Sequence, residues 1–110
     1  MSYDTSVYYY PEKHGLTPVA ELEFSDLCYQ FDTLMVWKDD EGNFYSARDS
    51  GCSCPSPFED FYSVDHLDKV EDWAKLAAYV QDEVENGWGS NPTLKGDAAH
   101  FIAQVREAMA

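Results

Sequence analysis

The stretch Ser50-Gly51-Cys52-Ser53-Cys54-Pro55-Ser56-Pro57-Phe58-Glu59 holds the residues best suited to chemistry. Cys52 and Cys54 offer two thiols two positions apart, flanked by Asp49 and Glu59. Three readings stay open. In the first, glycine, serines and prolines build a stiff turn, and the cysteines fill its inside as small, weakly polar groups. In the second, Cys52 and Cys54 bind a soft metal ion. A structural zinc site needs four ligands, so Cys28 and one of His14, His66 or His100 would have to complete it, and no spacing demands that. In the third, a thiol is reactive, with His66 as base and Asp49 or Asp65 as orienter. The acidic surroundings oppose this, because they raise a thiol's pKa. The spacing is too short for an easy disulfide between Cys52 and Cys54.

Other groups are simpler. Asp39-Asp40-Glu41 clusters three carboxylates, but without the spacing of a calcium loop. They read as a solvated hairpin tip and as candidate contacts for a partner. Glu59-Asp60 and Glu71-Asp72 pair carboxylates in the way acid–base catalysis uses, but they read first as acids of a helix first turn, favoured by the macrodipole. Trp88 stands between Gly87 and Gly89 and, if exposed, would anchor a partner. No phosphate loop, dinucleotide fingerprint or nucleophile elbow is present. The sequence therefore assigns no catalytic residue, no metal ligand and no cofactor.

The elements that position these groups follow from periodicity. Ala20, Leu22 and Phe24 alternate with Glu21 and Glu23, as in a half-buried strand. A second run, Leu27 to Lys38, sends Tyr29, Phe31, Thr33, Met35 and Trp37 to one face and Cys28, Gln30, Asp32, Leu34 and Val36 to the other. Lys38 to Asn43 is a turn in which Gly42 supplies a positive φ. Phe44 to Arg48 reads as a third strand, and Asp49 to Pro57 as an irregular boundary. Leu67, Val70, Trp73, Leu76, Ala77, Val80 and Val84 recur at helical steps, as do Ala98, Phe101, Ile102, Val105 and Met109. The expectation is one α+β domain over residues 1–110: a three-stranded antiparallel meander, about 18–48, under two helices, about 65–86 and 94–109. On that expectation Trp73→Ala and Phe101→Ala each cost about 3–5 kcal/mol.

The 110 residues carry 21 acids and 7 bases, a net charge of −14. The acids are spread along the chain. Such a surface repels nucleic acid and anionic membranes and suits a basic protein partner. It also serves solubility. No apolar run has the length of a membrane span, and the start shows no signal-peptide pattern, which points to the cytosol.

Tyr8-Tyr9-Tyr10-Pro11-Glu12-Lys13-His14-Gly15-Leu16, Phe31-Asp32-Thr33, Val36-Trp37-Lys38-Asp39 and the Gly51-Cys52-Ser53-Cys54-Pro55 centre together resemble a family of small proteins of phages that infect actinobacteria. The resemblance covers about the first 65 residues. That family has no assigned activity, so the resemblance implies a setting only: an accessory protein in the cytoplasm of an infected bacterium. The resulting expectation is a small acidic protein that binds a host or phage protein. The alternatives are a metal or thiol site at Cys52 and Cys54 with a redox or enzymatic role, and a minor component of the virion.

Overall fold

The computed structural model describes residues 6–26, 30–52, 58, 61–87 and 89–110, with Cys52 described in its backbone alone. Cys28, Cys54, Glu59 and Trp88 lie outside the described residues.

Four strands form one antiparallel sheet in chain order: β1 Leu16–Glu23, β2 Gln30–Asp39, β3 Phe44–Cys52 and β4 Asp68–Val70. Two helices follow, α1 Trp73–Asn86 and α2 Leu94–Met109. The α+β class and the three-strand meander agree with the periodicity. The fourth strand does not, and it replaces the first part of the expected helix from residue 65. Val64–His66 is a single 3₁₀ turn, and α1 begins only at Trp73. The reason lies in where the apolar groups go. Leu67 packs on one side of the sheet and Val70 on the other. One helical stripe cannot face both ways, so their three-residue spacing imitates a helix without belonging to one. Asp72 then sets the true start: its carboxylate accepts the Ala74 N–H at 2.9 Å and caps the first turn. Asp72 is thus the cap itself, placed just before the first turn.

β3 also runs further than expected. Asp49, Ser50, Gly51 and Cys52 continue the ladder opposite Thr33, Asp32, Phe31 and Gln30. Tertiary pairing overrides the poor strand propensity of this stretch.

Both faces of the sheet are covered. Ala20, Leu22, Leu34, Val36 and Phe44 meet Val80, Leu94, Ala98, Phe101 and Val105 of the helices. Met35, Trp37 and Ala47 point the other way and meet Val7, Leu16 and Phe58, with Tyr8, Phe61, Val64 and Leu67 around them. This explains why both faces of the 31–37 run are apolar where they leave Asp32 behind. Phe58 is the centre of the second core. Its ring stacks on Tyr8 at 4.9 Å and meets the edges of Trp37 and Phe61 at 5.9 and 5.3 Å. Its amide donates to the Asp49 carboxylate at 2.8 Å. Its carbonyl accepts from the Ser6 hydroxyl at 2.8 Å and from the Phe61 N–H at 3.1 Å. This anchoring holds Phe58 at φ 60°, a backbone conformation that costs a side-chain-bearing residue about 1–3 kcal/mol. Trp37 is fully buried, and its indole N–H has no partner among the described residues.

Trp73 is only partly buried, beside Arg106. The loss expected for Trp73→Ala is accordingly smaller than for Phe101→Ala, whose ring is fully covered. At the first helix pair, Asn91 does the tying. Its N–H reaches the Phe24 carbonyl at 3.0 Å, and its side-chain amide reaches the Glu23 carbonyl at 2.8 Å. Thr93 occupies the cap position of α2, but its hydroxyl donates to Asp97 at 2.8 Å and accepts no helix N–H.

At the β2–β3 hairpin, Asp39 is spent on the turn. One carboxylate oxygen accepts the N–H groups of Glu41 and Asn43, at 2.9 and 2.8 Å. The other accepts the Asn43 side-chain amide at 3.0 Å. Gly42 sits at φ 85°, as the turn requires. The Asn43 side chain and amide, followed by the other donors, hold the Asp39 carboxyl below its ordinary value. A depressed folded-state pKa means support that is complete above the unfolded value, about 3.9, and lost as the pH falls through the folded one. We expect a carboxyl-carbon NMR titration to place Asp39 below the ordinary aspartate value of about 3.9. If Asp39 titrated at or above that ordinary value, the turn would not be held in this way.

Candidate interaction site

The densest polar constellation is built on Arg48. It projects from β3 on the helix-facing side, like Phe44 and Ser46. Arg48 pairs across the sheet with Leu34, and Asp32 lies two residues from Leu34 on the same face. That diagonal relation lets the guanidinium grip Asp32 with two parallel bonds, Nε to Oδ1 and Nη2 to Oδ2, both 2.7 Å. From α1, Tyr79 and Glu83 reach down one helical turn apart. The Arg48 Nη1 donates to the Tyr79 hydroxyl at 2.8 Å and also to the Glu83 carboxylate. Beneath, the guanidinium lies 4.1 Å from the centroid of the buried Phe24 ring, a cation–π contact. The bonds to Asp32, then those to Glu83 and Tyr79, raise the Arg48 pKa far above its ordinary range, so it stays charged at any pH the fold survives. Most of its donors are taken. Arg48 is a clasp between sheet and helix and has little left for an anion.

Beside this clasp a recess of about 230 Å³ opens, lined by Leu34, Ser46, Arg48, Asp68, Leu76 and Tyr79. It lies where β3 passes the end of β4 and α1 overhangs the sheet. Tyr79 is 45% exposed there. The Asp32 and Glu83 carboxylates grip the one guanidinium, and Asp68 lines the recess beside it. Arg48 and Asp68 are the charged residues of the recess wall. Asp32 and Glu83 stand behind the guanidinium and more than neutralise it, so what remains for a cationic side chain is the Asp68 carboxylate beside the exposed Tyr79 ring.

The residues singled out by sequence are placed elsewhere. Asp49 reaches away from the recess and holds the Phe58 amide. Asp39 is consumed by its turn, while Asp40 and Glu41 are exposed beside it. The Cys52 backbone ends β3 opposite Gln30. Cys54, Glu59 and Trp88, like Cys28, fall outside the described residues. His66 is exposed, and its Nδ1 accepts the Tyr62 N–H at 3.3 Å; His100 is exposed on α2. Among the described residues no three of His, Cys, Asp and Glu are grouped to hold a metal ion. No described helix is long and apolar enough to cross a membrane.

Arg48, Asp32, Tyr79, Glu83 and Asp68 carried no motif. The one available signal was an arginine within a strand, two positions removed in register from an acid on the same face. It becomes legible only once the β2–β3 register is known.

Fold and recess together define a small α+β domain: a four-stranded antiparallel meander, helices on one face, aromatic packing on the other. The chain belongs to the DUF7574 family, a domain of unknown function, whose family model matches residues 5–109. No curated protein and no solved structure matches the chain.

Proposed function

We propose that the chain is a small binding protein that acts by contact with a basic region of another protein, host or phage, inside an infected bacterium. The observation that carries this is the charge of −14 taken with how little of it the fold consumes. Asp32 and Glu83 neutralise Arg48, while Glu23, Asp39, Asp49, Asp72 and Asp97 accept bonds from neutral donors and keep their charge. Asp40, Glu41, Asp65, Asp68, Glu71, Asp82, Glu85 and Glu107 are all exposed. Excess surface charge of one sign speeds encounter with a partner of the other sign and rejects like-charged ones. Nucleic acid is excluded as a direct ligand by the same sign.

Salt-titrated capture from bacterial lysate tests the proposal. We expect basic proteins to be retained at low ionic strength and released as salt approaches physiological levels or beyond, where the screening length is about 8 Å. Capture of nothing at low salt, or capture that salt leaves untouched, would contradict it.

A further inference from the structure

We propose that the recess between β3 and α1 receives a lysine or arginine side chain from an extended segment of the partner, laid along β3 beyond the end of β4. This rests on the reading of the chain as a binder of basic proteins and names where that binding occurs.

The sheet edge supplies the first argument. β3 spans Phe44–Cys52, but β4 pairs only with Phe44, Tyr45 and Ser46. From Ala47 onward β3 has no strand neighbour on that side among the described residues; Leu67, which leads into β4, packs with Ala47 on the opposite face of the sheet from the recess. Such an edge turns alternate N–H and C=O groups outward, and an extended peptide can pair with them. The recess opens beside this same stretch, with Ala47 and Arg48 in its lining. At about 230 Å³ it has room for one long side chain and is smaller than common small-molecule pockets, about 300–1,000 Å³.

Charge selects the occupant. Asp68 faces the recess with no share in the Arg48 clasp, whose own two carboxylates already outweigh the guanidinium. A cation entering between Asp68 and the Tyr79 ring meets a carboxylate on one side and an aromatic surface on the other. A second copy of this chain would bring the wrong sign of charge, since each copy carries −14.

The test is an NMR titration of the ¹⁵N-labelled full chain with a short peptide alternating lysine and threonine, and with its glutamate-for-lysine counterpart, at low salt. We expect the lysine peptide to shift the amides of Ala47 to Ser50, Asp68 and Tyr79, and the glutamate peptide to shift none of them. Asp68→Asn and Tyr79→Ala, both at exposed positions, should each weaken binding, and together by about tenfold or more. Glu107→Gln, on α2, should leave it unchanged. Equal weakening by Glu107→Gln, with shifts scattered over the surface, would overturn the recess and leave the general acidic reading standing. Absence of binding by the lysine peptide, or equal binding by the glutamate peptide, would also overturn the recess. Capture from lysate then decides the general reading separately.

Discussion

Phe58→Ala should destabilise the protein by about 3–5 kcal/mol, as much as Phe101→Ala in the helix-covered core. Phe58 lies in no helix or strand, and in most proteins such a residue is replaceable. Here its ring is fully buried against Tyr8, Trp37 and Phe61. Its removal would leave a cavity under Trp37 that the anchored backbone cannot close. Against a total stability of about 5–15 kcal/mol, that loss is severe. A comparison with Phe58→Gly separates ring from backbone. Glycine adopts φ 60° freely, so the glycine variant should unfold at or above the urea midpoint of the alanine variant, despite its smaller side chain. Midpoints of Phe58→Ala and parent that coincide would show that the face opposite the helices is not a true core.

Arg48→Met should cost about 1.5–3 kcal/mol. The range is below that of a fully buried pair, because the Arg48 side chain keeps 25% of its exposure. The loss comes from what stays behind: Asp32 and Glu83 face each other without the cation between them. Adding Asp32→Asn to Arg48→Met should therefore recover part of the stability, a non-additivity readable in a double-mutant cycle. Arg48→Lys should fall between parent and Met, since lysine keeps the charge and loses the two-pronged grip on Asp32. Additive losses would mean that sheet and α1 are held by apolar packing alone.

Much of the fold is legible from residue spacing because much of it follows simple periods. The α2 boundaries, 94–109, follow from the stripe Ala98, Phe101, Ile102, Val105 and Met109, and the hairpin at Gly42 from its turn residues. The errors share a physical cause. Leu67 and Val70 serve opposite sides of a two-faced sheet, and a one-dimensional pattern cannot show sides. Asp49 to Cys52 joins β3 because β2 offers a partner, which no local propensity records. The candidate site was the least legible part. Its members come from β2, β3, β4 and α1, and only register and helix overhang bring them together. The carboxylates that did stand out in sequence, Asp39 above all, are those a turn needs.

On the function proposed above, carboxylates left over from folding are what this chain works with. The most direct test is the affinity for a captured partner, compared between the parent and a variant carrying Asp68→Asn, Glu71→Gln and Glu85→Gln, across a salt series. Weaker binding with a shallower salt dependence in the variant is the predicted result. Equal affinity and equal salt slopes in the two proteins would contradict it.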